Sequence, residues 1–280
     1  MQLKLLFLLF TIGFVFADSN VQRHTGFVSE RIVGGTDALP HSAPWMITMQ
    51  YGVVVTRHIC GGSIINTEWV LTAGHCVLAI GPEGIFYIVA GRNSLSSHET
   101  SEQIRYVNRS LMFVHEDYNG GVAPHDIALM KVEPFNFNDF VQPIALPAAG
   151  LEHTGNVVLH GWGSTSNTGT PNMPDTLQTV TKPIISLEAC AAAFLRNLND
   201  TTPLHENNIC TGPLTGGISA CSGDSGGPIS QNGEVLGIAS WTIIPCGHED
   251  SPTVYCKVSA YIDWIENVIE NNPDPVPQQE

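Results

Sequence analysis

Gly223-Asp224-Ser225-Gly226-Gly227-Pro228 is the most informative string in this 280-residue chain. A serine hydroxyl is a poor nucleophile unless a neighbouring base takes its proton. Glycines beside it let the backbone turn sharply and let another molecule approach closely. They also leave backbone N–H groups able to face a developing oxyanion. Working outward, short apolar runs follow one another, at 157–160 upstream and at 235–240 downstream, the latter after the turn Asn232-Gly233. The same rhythm continues at 45–50, 63–65, 85–90 and 127–132, with glycine turns at Gly61-Gly62, Asn119-Gly120-Gly121 and Asn167-Thr168-Gly169. Each run has the length of a strand and none sustains a helical period. The reading is an all-β chain, barrel or sandwich. One helical pattern stands out at 259–269, where Ile262, Ile265 and Ile269 share a face.

Composition supports a folded core. Only 13% of residues are charged, 43% are hydrophobic and 27 are glycine, which fits short strands and tight turns and not a disordered chain. A net charge of -15 argues against a basic nucleic-acid-binding face, so no nucleic-acid partner is expected. Residues 1–17, MQLKLLFLLFTIGFVFA, place a lysine before an apolar run that ends in Ala17. This predicts a secretory signal. The run is short for a membrane span, and polar Asp18-Ser19-Asn20 follows at once. A secreted, extracellular protein without membrane association is expected. Secretion permits disulfides, and seven cysteines allow at most three bridges within the chain. Counting alone leaves the pairing open. Asn108 and Asn199 begin sequons and are glycosylation candidates. Residues 271–280 are acidic and proline-rich, a loose tail.

Two further contexts bear on Ser225. Leu71-Thr72-Ala73-Gly74-His75-Cys76 presents a histidine after a strand-like run, and Asp126-Ile127-Ala128-Leu129-Met130 opens an apolar run with an aspartate. A buried aspartate can hold an imidazole in one tautomer and stabilise the imidazolium. Taken singly, such a histidine or aspartate is more often a structural or surface residue. Together, in the order His75, Asp126, Ser225, they read as base, orienting acid and nucleophile. With Ile32-Val33-Gly34-Gly35, Cys60-Gly61-Gly62-Ser63, Gly161-Trp162-Gly163 and Ser240-Trp241, the set resembles the chymotrypsin/trypsin family of serine proteases, over about residues 32–271.

The resemblance implies two Greek-key antiparallel β-barrels with a C-terminal helix, the first over about 32–143 and the second, with the helix, over about 144–270. His75 and Asp126 would come from the first barrel and Ser225 from the second. The N–H groups of Gly223 and Ser225 would form the oxyanion hole. The implied bridges are Cys60–Cys76, Cys190–Cys210 and Cys221–Cys246, leaving Cys256 as a buried, inert thiol. The resemblance also implies a precursor, with 18–31 as a propeptide cut after Arg31. The new ammonium of Ile32 would then pair with Asp224. Before the cut, Asp224 would meet His58 and Thr48. No cysteine lies in 18–31, so the propeptide would be released.

Specificity is implied in the same way. Ser219 would form the base of the primary pocket, where trypsin-like members carry an aspartate. Without that charge, arginine or lysine would be buried unpaired. Thr242 and Thr253 would narrow the walls, as in elastase-like members that favour small aliphatic residues. A chymotrypsin-like preference for aromatic residues is the alternative, and a non-catalytic binding homologue is a more distant one. Glu249 and Asp250, in the nearby loop, would add an acidic bias. Expected partners are protein or peptide substrates, a separate trypsin-like activating protease, and protein inhibitors of proteases, with the enzyme itself a monomer. No cofactor is expected. No metal is expected either, since Arg92 stands where calcium-binding members begin their acidic loop with glutamate, and the other histidines lack zinc-ligand spacing.

Overall fold

The computed structural model describes residues 32–199 and 204–273. The expected signal, the propeptide with Arg31, and positions 274–280 of the expected tail lie outside them. The strands are β1 (Thr36–Asp37), β2 (Met46–Gly52), β3 (Arg57–Ile64), β4 (Trp69–Thr72), β5 (Ile85–Ala90), β6 (Gln103–Tyr106), β7 (Met112–Val114), β8 (Ala128–Lys131), β9 (Asn156–Gly161), β10 (Gln178–Ile185), β11 (Asn208–Thr211), β12 (Pro228–Gln231), β13 (Glu234–Thr242) and β14 (Thr253–Lys257). The α-helices are α1 (Gly74–Leu78), α2 (Leu187–Leu198) and α3 (Ile262–Glu270).

Two antiparallel sheets carry the molecule. The N-terminal sheet runs β6-β5-β2-β3-β4-β8-β7 and curls without closing. The C-terminal sheet runs β10-β11-β14-β13-β12-β9, and β9 pairs back onto β10, so these strands close into a barrel with β1 on its edge. Closure leaves no free edge in the ring and gives every strand a buried face. The all-β, two-barrel expectation holds.

The cores follow the apolar alternation. Val157, Leu159, Ile229, Leu236 and Tyr255 fill the closed barrel, and Ile32 is buried among them. Ile47, Met49, Leu71, Ile88 and Leu129 fill the other sheet. Val235, Ile238 and Cys256 of the second barrel join that cluster, as do Ile262 and Ile265 of α3. The helical face read from the sequence therefore packs back across the molecule and ties the two halves together.

Helix α2 has no counterpart in the sequence reading. Its buried face is small, Cys190, Ala193 and Phe194, so the apolar signal is thin. Its ends are nonetheless marked: the Ser186 hydroxyl accepts from the Ala189 N–H, and Asn199 adopts the left-handed conformation that ends many helices. Disulfides join Cys60 to Cys76, Cys190 to Cys210 and Cys221 to Cys246. Cys256 is free and buried in β14, and burial pushes its thiol pKa far up.

Candidate active site

His75 stands on the short helix α1, directly after β4. Gly74 is required there, because a Cβ would lie 2.8 Å from the Tyr118 ring. The Cys60–Cys76 bridge anchors the helix to β3. Asp126 precedes β8 and is 2% exposed. Its Oδ1 accepts from the His75 backbone N–H at 2.8 Å, and its Oδ2 accepts from His75 Nδ1 at 2.7 Å. Ser240 Oγ donates to the same Oδ2 at 2.5 Å. An ionised carboxylate can only accept, so the proton of His75 sits on Nδ1. The lone pair on Nε2 is left as a base; Cys76 Sγ lies 3.6 Å from it, and among the described residues no hydrogen bond joins it to Ser225 Oγ.

Ser225 lies on the loop entering β12. Its carbonyl accepts from the Gly61 N–H at 2.8 Å, which fastens the second barrel to the first beside His75. Gly226 turns with φ +74, and a Cβ there would lie 2.3 Å from Thr72 Oγ1. Among the described residues, no protein acceptor takes the N–H of Gly223 or of Ser225. Both are available to an oxyanion.

The Gly223 peptide is held from its other side. His58 Nε2 donates to the Gly223 carbonyl at 2.8 Å, and Thr48 Oγ1 donates to His58 Nδ1 at 2.7 Å. Gln50 Nε2 donates to Thr48 Oγ1 at 2.8 Å and fixes that direction. Burial pushes the His58 pKa down to about 4, so the imidazole stays neutral and the relay keeps one polarity. This corrects the expected precursor contact. His58 and Thr48 do meet, but they hold Gly223 and not Asp224. The carboxylate of Asp224 is already satisfied elsewhere: Gly163 N–H and Cys221 N–H donate to it at 2.8 and 2.9 Å.

The Gly161-Trp162-Gly163 motif gains a physical reason here. A Cβ on Gly161 or Gly163 would lie 2.1 or 2.2 Å from the Asp224 carboxyl group. Only glycine leaves room for that acid. Asp224 is 1% exposed. Desolvation raises its pKa to about 6, against the pull of the two N–H donors.

A cleft of about 180 Å³ adjoins Ser225, lined by Cys221, Trp241, Thr242, Ile244 and Thr253 among others. Ser219 is not on its surface. It is fully buried, donates to the Ala220 carbonyl at 2.8 Å and lies 3.2 Å from Thr253 Oγ1. Thr253, whose Oγ1 lies 3.2 Å from Ser219 Oγ, lines the cleft where Ser219 was expected to. Thr242 turns its hydroxyl to the Pro252 carbonyl at 3.1 Å. Asp250 is drawn away, taking two hydrogen bonds from Arg196 at 2.9 and 2.6 Å. A larger groove, about 720 Å³, contains Glu152, Asn207 and Lys257 but none of His75, Asp126 or Ser225.

Arg92 is nearly buried and binds Glu102 through two hydrogen bonds of 2.8 and 2.9 Å. The protein's own cation thus occupies that acidic loop. Cys60, His75 and Cys76 cluster closely enough to suggest metal ligands, but their sulfurs are bonded to each other and offer no thiolate.

A family model described as Trypsin matches residues 32–265. The chain belongs to the trypsin family. Lectizyme of Glossina austeni is 40% identical over 259 residues, covering 88% of this chain and 89% of that protein. Trypsin-1 of Astacus astacus is 40% identical over 244 residues, covering 84% of this chain and 98% of its own length. Trypsin II-P29 of Gallus gallus is 36% identical over 245 residues, covering 87% and 91%. This trypsin-family chain is a serine endopeptidase, a hydrolase of peptide bonds in proteins or peptides.

Two features of this site carried no role in the sequence reading. Ser240 stood only as part of a motif, and nothing in its local sequence signals that its hydroxyl reaches Asp126, 114 positions away. Lys182 was passed over entirely. Its signal was available, since a lysine that alternates in phase with Gln178 and Val180 sits on the inward face of β10.

Proposed function

We propose that Ser225 is the nucleophile, His75 the general base and Asp126 the acid that orients it. The carrying observation is the pairing of His75 with a buried Asp126, together with the uncommitted N–H groups of Gly223 and Ser225. Ser225 Oγ attacks the peptide carbonyl and its proton passes to His75 Nε2. The two N–H groups bind the resulting oxyanion. His75 then protonates the leaving amine, and water hydrolyses the acyl-enzyme by the reverse relay.

The enzyme is secreted and made as a precursor, with residues 1–17 as leader and 18–31 as propeptide. Cutting after Arg31 frees the amine of Ile32, and that ammonium pairs with Asp224. Support comes from the burial of both residues and from the unbalanced charge of Asp224 in the uncut chain. The cleft lined by Thr253 and Thr242 suits small to medium side chains before the scissile bond. Among the described residues the acid on its lining is Asp224, which is 1% exposed with its carboxylate held by the Gly163 and Cys221 N–H groups, so arginine meets no free counter-charge there and a separate protease of tryptic preference performs the activating cut.

Peptides that differ only in the residue before the cut test this reading. After activation and removal of the activating protease, Ala and Val are expected to be cut faster than Phe, and Arg not at all. Ser225→Ala is expected to lower kcat by roughly 10⁶-fold. A preference for Phe would overturn the pocket, and full activity of Ser225→Ala would overturn the triad.

A further inference from the structure

Lys182 is the charged group for which the reaction has no use. It is 1% exposed, inside the closed barrel. Among the described residues its Nζ makes one hydrogen bond, to Thr253 Oγ1 at 2.7 Å, and sits 5.9 Å from the centre of the Tyr255 ring. An ammonium has three protons to donate, and burying it without a close counter-charge is costly. Burial lowers the Lys182 pKa to about 7, with Asp224, the influence of opposite sign, opposing the fall, so the side chain is an ammonium on the acid side of neutrality. The oxygens of Asp224 are occupied by Gly163 and Cys221, and in the proposed mature enzyme it also receives the Ile32 ammonium. Two buried cations then share one carboxylate. An aliphatic residue at position 182 would fill the same barrel face without that penalty.

The hydrogen bonds around Thr253 point the charge toward the cleft. An ammonium only donates, so Thr253 Oγ1 accepts from Lys182 and keeps its own proton to give. In the structure Ser219 Oγ, 3.2 Å away, can accept it, since Ser219 sends its own proton to the Ala220 carbonyl at 2.8 Å, and the Tyr255 hydroxyl is a second side-chain partner of Thr253. The 3.2 Å contact with Ser219 is long for hydroxyl oxygens. Thr253 lines the cleft. A side chain that enters the cleft with an oxygen acceptor can take the Thr253 proton in place of Ser219. A hydroxyl polarised by an ammonium is a strong donor, and an anionic acceptor gains most from it.

We propose that Lys182, acting through Thr253, makes this pocket select a short acidic side chain, such as aspartate, immediately before the scissile bond. The inference rests on the cleft being the primary pocket and narrows its substrate class. Shape admits small side chains, and charge chooses among them. The same cation opposes arginine and lysine in the pocket.

Aspartate and asparagine have nearly the same shape, so the ratio of their kcat/KM values isolates charge. Both peptides are measured on one activated preparation at about pH 6, where Lys182 is charged and the aspartate ionised, alongside the Ala and Val peptides. Taking the ratio cancels any loss of folded enzyme and any change in the triad. The expected Asp/Asn ratio is about tenfold or more, falling to one or below in Lys182→Met. Thr253→Val keeps the side chain's shape and removes the hydroxyl. It is expected to collapse the ratio as well, and it serves if Lys182→Met does not fold. A ratio near one in the parent enzyme, with Ala and Val cut, would overturn the role of Lys182 alone. A high ratio that survived both substitutions would also overturn it. If no peptide were cut, the reading of the cleft and this inference would fall together.

Discussion

Asp126 receives three hydrogen bonds on two oxygens, from the His75 backbone, the His75 ring and Ser240. An amide in its place has one oxygen and a pair of protons, so it cannot accept from all three. Asp126→Asn would turn N–H toward His75 Nδ1 or abandon Ser240, and either choice disfavours the tautomer with a free Nε2. The expected result is a fall in kcat of roughly 10⁴ at neutral pH with little change in KM, the size this change has in chymotrypsin-type triads. Steady-state kinetics on one good peptide would read it, and a loss below tenfold would remove Asp126 from its orienting role. At this scale the sequence was legible where chemistry is written locally. His75, Asp126 and Ser225 each stand in a short string of characteristic neighbours. Lys182 and Thr253 do not, because they meet across 71 positions and a lysine reads by default as a solvated residue. The depth of Ser219 was hidden for a related reason. Sequence names the position, but tertiary packing decides what reaches the surface.

Strands were legible as apolar runs bounded by glycine turns, and the run at 85–90 is the strand β5 without adjustment. The weaker elements lack that contrast. Strand β6 alternates half-buried and exposed residues, and β10 carries Lys182 and Pro183 within its length. Helix α2 was missed because its face is small, and tertiary bonds stabilise it where apolar periodicity does not. Cys190 is tied to Cys210 of β11, and Phe194 stacks on Trp241, a wall of the cleft, at 4.8 Å between ring centres. Removing that bridge frees a loop with a sequence separation of 20 in the unfolded chain. Cys190→Ala with Cys210→Ala is expected to cost about 3 kcal/mol of stability. Denaturant titration would show it as a lower midpoint, with a slope that rises as the freed unfolded chain exposes more surface. A cost under about 1 kcal/mol would mean that packing of Phe194 alone holds the helix.

The whole molecule joins two barrels through a few shared groups, and the most consequential is Asp224. In the uncut chain it is a buried acid held by two N–H donors, with its pKa raised to about 6 by burial. A carboxyl raised in the folded state contributes stability that is fully present below its unfolded pKa. That contribution is lost as pH rises through about 6. The uncut chain therefore carries a penalty at pH 7 of roughly 3 kcal/mol, and a smaller one at pH 5. In the proposed activation, cutting after Arg31 would place an ammonium beside the carboxylate and return its pKa toward or below the ordinary range, so the cut form would escape the penalty at both pH values. With Ser225→Ala preventing self-digestion, the cut protein is expected to melt about 5–10 °C above the uncut one at pH 7. The gap is expected to narrow at pH 5. Asp224→Asn removes the ionisation and is expected to make the gap insensitive to pH between 5 and 7. Equal melting of cut and uncut protein at pH 7 would mean that the Ile32 ammonium never reaches Asp224. A gap that widened toward pH 5 would reverse the sign and point to a different titrating group, so pH separates the charge of the new terminus from the mere loss of the propeptide.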